Sequence, residues 1–212
     1  MSIKRVTIPA HYNLEGILRT GSRGAGVVIC HPNPLYGGSM FNNVVDAIEE
    51  GFSSKNFTAL RFNFRGVGES AGVYGGGDGE IDDLTAALSF LKSHLSSDAH
   101  VTLAGYSFGA WICSRAAARL GNIDRLFLVA YPFAFYGTEE LKAFSGKIYL
   151  VGGTRDELGP KEALLDFYQN LALIDKYLKI IPTDHFYWGK EEEIAQLIRE
   201  QVGLEDQSGT GD

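Results

Sequence analysis

Val101-Thr102-Leu103-Ala104-Gly105-Tyr106-Ser107-Phe108-Gly109-Ala110-Trp111-Ile112 passes from a short apolar run to a helix-forming one through two glycines that bracket a serine. A nucleophilic serine must stand clear of a sheet on a very tight strand-to-helix turn. Such a turn crowds its neighbours, and glycine two residues before and two after removes the clash. The helix starting near Phe108 then offers unpaired N–H groups and a positive partial charge to an oxyanion developing beside Ser107. Without chemistry the segment is only a small-residue turn. A strand before it and a helix after it favour the nucleophile.

Outward from this segment, strand and helix patterns alternate along the chain. Residues 26–30 and 57–64 are short apolar runs that suit strands covered on both faces. Residues 6–8 and 14–18 form a strand pair around a turn at 11–13. Beyond the quoted segment, 126–130, 148–151 and 177–181 continue the strands. Helical spacing marks 42–53, 81–95, 108–120, 139–144, 161–172 and 191–202. This order predicts an α/β class with a mostly parallel, eight-stranded sheet and helices on both faces. Ligands of such sheets sit outside the carboxyl ends of the strands. A single domain is expected over 1–205, with a small polar tail at 206–212 that frays.

Composition narrows the partners. A net charge of −7 with no basic block argues against nucleic acid and against anionic lipid. Cys30 and Cys113 are too few for a disulfide framework. Residues 1–16 lack an apolar run of signal-peptide length, and no stretch reaches the roughly 18 apolar residues of a membrane helix. The expectation is a cytoplasmic protein with no membrane partner. No two histidines or cysteines have metal-site spacing, so neither metal nor cofactor is expected.

A serine hydroxyl needs a base, usually histidine. Of the five histidines, only His31 and His185 follow strands at their carboxyl ends, where Ser107 also lies. His31 ends a strand and precedes Pro32, which suits a loop-fixing role. His185, in Pro182-Thr183-Asp184-His185-Phe186, is the better base. The base needs a carboxylate to fix its tautomer. Asp156, in Gly152-Gly153-Thr154-Arg155-Asp156-Glu157, follows another strand at the same edge. Glu157 and Asp184 compete with it, but Asp184 adjoins His185, and neighbours in an extended segment point apart. For the oxyanion, the Phe108 N–H is one donor. The loop 31–39 supplies the other, and because Pro32 and Pro34 have no N–H, Asn33 is its first available donor.

Two glycine-rich stretches could suggest phosphate binding. Gly66-Val67-Gly68-Glu69-Ser70-Ala71 fits a loose dinucleotide fingerprint, but more glycines follow it rather than a helix. A turn, with Arg65 pairing nearby, fits better. Gly75-Gly76-Gly77 lacks the Gly-Lys-Ser/Thr of a phosphate loop.

Five motifs stand in a fixed order: His31-Pro32-Asn33-Pro34-Leu35-Tyr36-Gly37-Gly38-Ser39-Met40, Arg61-Phe62-Asn63-Phe64-Arg65-Gly66-Val67-Gly68-Glu69-Ser70, Gly105-Tyr106-Ser107-Phe108-Gly109, Gly153-Thr154-Arg155-Asp156 and Asp184-His185-Phe186. Together they resemble small bacterial α/β-hydrolases related to dienelactone-hydrolase-like esterases, over nearly the whole chain. The resemblance implies the α/β-hydrolase fold, with Ser107, Asp156 and His185 as its triad, and hydrolysis of esters or similar acyl bonds. Dienelactone hydrolases proper carry a cysteine where this chain has Ser107, which argues against dienelactones as substrates. Relatives often insert a cap after the sixth strand. Here the interval 131–146 has only sixteen residues, so no cap domain is expected. Aromatic walls are expected from the loops, including Tyr36, Phe41, Tyr74, Phe108, Phe133, Phe135, Tyr136 and Trp188, with Tyr36, Phe186 and Tyr187 touching substrate. The substrate expected is a small ester or thioester, cleaved through an acyl-enzyme. Two other readings compete: a non-catalytic binding protein on the same fold, and a peptidase or acyltransferase using the same triad.

Overall fold

The structure, a computed structural model, describes residues 2–208, with side chains as far as Val202 in the last helix. One eight-stranded sheet runs through it in the order β1-β2-β4-β3-β5-β6-β7-β8. Its strands are β1 (Ile3–Ile8), β2 (Leu14–Arg19), β3 (Ala25–Cys30), β4 (Thr58–Phe62), β5 (His100–Tyr106), β6 (Arg125–Val129), β7 (Lys147–Gly153) and β8 (Lys176–Ile181). The β1–β2 and β2–β4 pairs are antiparallel. All other pairs, from β4–β3 through β7–β8, are parallel. The carboxyl ends of β3 to β8 therefore share one edge.

Among the described residues six α-helices, α1 (Asn43–Ser53), α2 (Asp78–Lys92), α3 (Phe108–Arg119), α4 (Glu139–Ala143), α5 (Lys161–Asn170) and α6 (Glu191–Ser208), cover both faces. Strand alternation decides which face each side chain serves. Along β3, Val28 and Cys30 join Leu84, Leu88, Ala110 and Ile112 on one side. Val27 and Ile29 join Val44, Ile48, Phe52, Ile194 and Ile198 on the other. A strand buried on both faces must be apolar throughout, which is why residues 26–30 carry no alternation. Gly51 lets α1 and α6 approach closely: a Cβ there would lie 2.8 Å from the Ile198 Cβ. Truncating Ile198 to alanine would cost about 2–5 kcal/mol at this contact.

Some boundaries differ from the sequence reading. Helix α2 begins at Asp78 rather than 81, because the buried Glu80 carboxylate accepts the N–H groups of Gly77 and Gly75 at 2.6 and 2.8 Å and caps a start that its glycines conceal. Helix α6 runs on to Ser208, so residues 206–208 of the expected tail are helical, and 209–212 lie outside the described residues. The glycine-rich segment after β4 is a turn: the Gly66 N–H donates to the Ser70 carbonyl. Arg65 pairs with the buried Asp83 of α2 at 2.8 Å, as its position suggested. Both cysteines are free and buried. Between β6 and β7 stand only a turn and α4, with no cap. Among the described residues, no helix is long and apolar enough to cross a membrane.

Candidate active site

Ser107 stands between β5 and α3 with φ 54° and ψ −119°, a conformation that costs an L-residue on the order of 1–3 kcal/mol. The surrounding hydrogen bonds hold it there. Its N–H donates to Val129 of β6 at 2.9 Å, and its carbonyl accepts Ala110 N–H at 2.9 Å. The flanking glycines are steric necessities. A Cβ on Gly105 would lie 2.4 Å from the Gly109 backbone, and one on Gly109 would lie 2.3 Å from the Cys30 carbonyl oxygen.

The structure brings the three sequence candidates into one line. Ser107 Oγ lies 2.9 Å from His185 Nε2, and His185 Nδ1 lies 2.9 Å from both Asp156 carboxylate oxygens. All three side chains are buried. Burying Asp156 without donors would be costly. Its Oδ1 also accepts the N–H groups of Leu158 and Gly159 at 2.9 and 2.8 Å. Nδ1 of His185 thus faces the carboxylate and Nε2 faces the serine hydroxyl.

Asp184 and His31, two of the competitors, are engaged elsewhere. Asp184 is exposed and accepts the Phe186 N–H at 2.9 Å, while Glu157 is exposed. His31 is fully buried: Nδ1–H donates to Pro32 at 2.7 Å, and Nε2 accepts the Phe64 N–H at 3.0 Å. Burial lowers its pKa to about 4. It fixes the loop as a neutral ring.

With this array at the carboxyl edge of the sheet, comparison with known proteins becomes informative. The alpha/beta hydrolase domain family matches residues 25–187. The chain belongs to the alpha/beta hydrolase family. A serine hydrolase homologue from Coxiella burnetii is similar at 30% identity and TM-score 0.87, covering 95% of this chain and 98% of that one. A serine hydrolase described as lacking a lid, from Xanthomonas campestris, is similar at 28% identity and TM-score 0.87, covering 96% of this chain and 95% of that one. An uncharacterized protein of Rickettsia prowazekii is 30% identical over 82% of this chain and 77% of its own.

The hydrolase opens to solvent through a cleft of about 580 Å³ at Ser107, walled by Tyr36, Phe108, Phe135, Tyr136, Leu158 and Phe186 among others. Phe108 N–H is the first of α3 and has no partner within that helix by geometry. Asn33 also lines the cleft. Its side-chain oxygen is taken up by Leu35 N–H at 2.9 Å, which leaves the main-chain N–H as the group that could face an oxyanion.

Tyr187, expected at the substrate, is instead fully buried. Its ring packs edge-on against Tyr106 at 6.3 Å. From Thr183 to Trp188, burial alternates residue by residue, so His185 and Tyr187 point inward while Asp184, Phe186 and Trp188 point out. The same alternation that argued against Asp184 would have excluded Tyr187. Other expected wall residues also lie elsewhere. Phe41 sits beneath the Arg61 guanidinium, Phe133 packs on Phe167, Tyr74 packs on Phe108, and Trp188 projects to solvent outside the residues that wall the cleft. Tyr106 and Leu158 line the cleft without having been singled out. Tyr106 was legible as the neighbour of the nucleophile, whereas Leu158 depends on how the loop after β7 folds.

Proposed function

We propose that this hydrolase cleaves carboxylic esters or thioesters through an acyl-enzyme on Ser107. The observation that carries this reading is the Ser107–His185–Asp156 array, with hydrogen-bonding distances at both links. His185 Nε2 takes the Ser107 proton as Oγ attacks the acyl carbonyl. The negative charge that forms on the carbonyl oxygen is received by the main-chain N–H groups of Phe108 and Asn33. His185 then returns the proton to the departing alkoxide or thiolate. A water activated by the same ring attacks the acyl-enzyme and frees the acid and Ser107. Asp156 holds the ring in orientation and stabilises its cation.

Tyr36 and Phe186 are the proposed substrate contacts, and the apolar walls favour an acyl chain or aryl group over a phosphate. Functional kinship with the dienelactone-hydrolase-like esterases is part of this proposal, with serine in place of cysteine. The test is kcat/KM across acetyl to decanoyl p-nitrophenyl esters and acyl thioesters with chelator present, alongside fluorophosphonate labelling of Ser107. Turnover that survives chelator and rises with acyl length is expected. A protein that neither turns over nor labels would refute the reading. Labelling without ester or thioester turnover would redirect it to amides or acyl transfer.

A further inference from the structure

Large apolar side chains left exposed are unevenly placed on this molecule. Among the described residues, all but Ile3 and Ile174 lie in loops that leave the carboxyl ends of β3 to β8, the edge at which the cleft opens. Tyr36 is 89% exposed, Val73 75% and Trp188 72%; Leu35 and Phe186 are exposed in the loops of Tyr36 and Trp188, and Phe135 in the loop after β6. Apolar side chains scattered singly need no explanation, but a set gathered on one face marks an interaction surface.

The charge on this face is as informative as its apolarity. Residues 31–42 and 131–138 contain no Lys, Arg, Asp or Glu. The remaining edge loops carry Glu69, Glu157 and Asp184 against Arg155 and Lys190, besides the buried Asp156 and Arg65, whose charge is met by the buried Asp83. Such a rim has no cationic field to hold an anionic headgroup, and the chain as a whole carries −7. It suits an uncharged apolar phase. Exposed Tyr and Trp, with an apolar body and a polar tip, favour the boundary between such a phase and water.

We infer that this face docks the hydrolase on the surface of an aggregated, uncharged acyl ester, and that the docked enzyme draws its substrate directly from that surface. The inference rests on the reading of Ser107 as nucleophile and names the physical state of its substrate. The cleft opens within this face. A second copy seated there would cover the mouth, whereas an ester aggregate both covers the rim and supplies the bond to be cleaved. The charge argument against anionic lipid does not touch an uncharged interface. Docking uses apolar contact alone and needs no lid to move.

Two measurements decide it. First, Ser107→Ala protein is titrated with short-chain phosphatidylcholine below and above its micelle concentration. Tryptophan emission is expected to shift to shorter wavelength only above it, and the shift is expected to vanish in Ser107→Ala/Trp188→Phe. Second, wild type and Val73→Ser/Trp188→Ser are compared on dissolved p-nitrophenyl acetate and on glycerol tributyrate across its solubility limit. The double variant is expected to keep p-nitrophenyl acetate turnover within about twofold and to lose at least about tenfold on the emulsion, the scale set by withdrawing two apolar side chains from the interface. Absence of both the emission shift and a rate increase at the solubility limit, in a wild type that turns over p-nitrophenyl acetate, overturns docking and leaves the hydrolase reading standing. A wild type inert on dissolved ester refutes the hydrolase reading, and the titration with Ser107→Ala still decides docking. A dimer that Val73→Ser/Trp188→Ser dissociates would assign the rim to a second copy and overturn the proposal.

Discussion

The Tyr106 hydroxyl donates to the main-chain carbonyl of His185 at 2.7 Å, across the floor of the cleft. Their rings lie 5.5 Å apart. Burial pushes the Tyr106 hydroxyl pKa up, so it remains a donor throughout the working pH range. Because Tyr106 directly precedes Ser107, one residue ties the proposed nucleophile's turn to the loop that carries the proposed base. Tyr106→Phe is expected to lower kcat about tenfold, the scale of one buried hydrogen bond, with KM nearly unchanged. A matching loss in KM would mean that the hydroxyl serves substrate binding instead.

Ser107→Ala is expected to lower kcat by about 10⁴-fold or more and to abolish fluorophosphonate labelling while the protein stays folded. Its stability should reveal the backbone strain. Alanine keeps the cost of φ 54°, whereas glycine removes it and gives back part as unfolded-state entropy. Ser107→Gly is therefore expected to be more stable than Ser107→Ala by about 1 kcal/mol, read by urea unfolding.

Asp156→Asn is expected to cost about 10⁴-fold in kcat, because an amide facing Nδ1 favours the wrong tautomer. Asp184→Asn should stay within about twofold, since an amide oxygen can still accept the Phe186 N–H. Reversed severities in steady-state kinetics would move the carboxylate role to Asp184.

His31 makes stability depend on pH. Its pKa falls from 6.5 to about 4 on folding, so between these values the unfolded chain binds the proton and the folded chain does not. The stabilisation is complete above pH 6.5 and is lost as pH falls towards 4, amounting to roughly 3 kcal/mol. Urea midpoints at pH 7 and pH 4 test this. The deficit of His31→Gln relative to wild type is expected to be large at pH 7 and to shrink by roughly that amount at pH 4.

Long-range order was legible in the sequence because each apolar run or helical stripe has its own period, and the parallel strands made residues 26–30 apolar on both faces. The candidate site could be assembled from the sequence because Ser107, Asp156 and His185 each follow a strand, and strand ends share one edge. Details governed by hydrogen bonding were not. The start of α2 depends on Glu80 reaching back to two glycine N–H groups, which composition hides. The burial of Tyr187 was available from alternation but was masked by the expectation that aromatics near a cleft face it.

The short passage from β6 to β7 also bears on what limits the rate. An enzyme whose entrance must swing open spends part of each cycle in large-scale motion, and its turnover slows as the solvent thickens. Here residues 131–146 form a turn and one short helix packed on the body through Leu141 and Phe144. For a dissolved ester far below diffusion-limited rates, kcat is then expected to be indifferent to added sucrose, and progress curves to be linear from mixing. Inhibitor trapping should follow bond-making at Ser107 rather than the opening of an entrance.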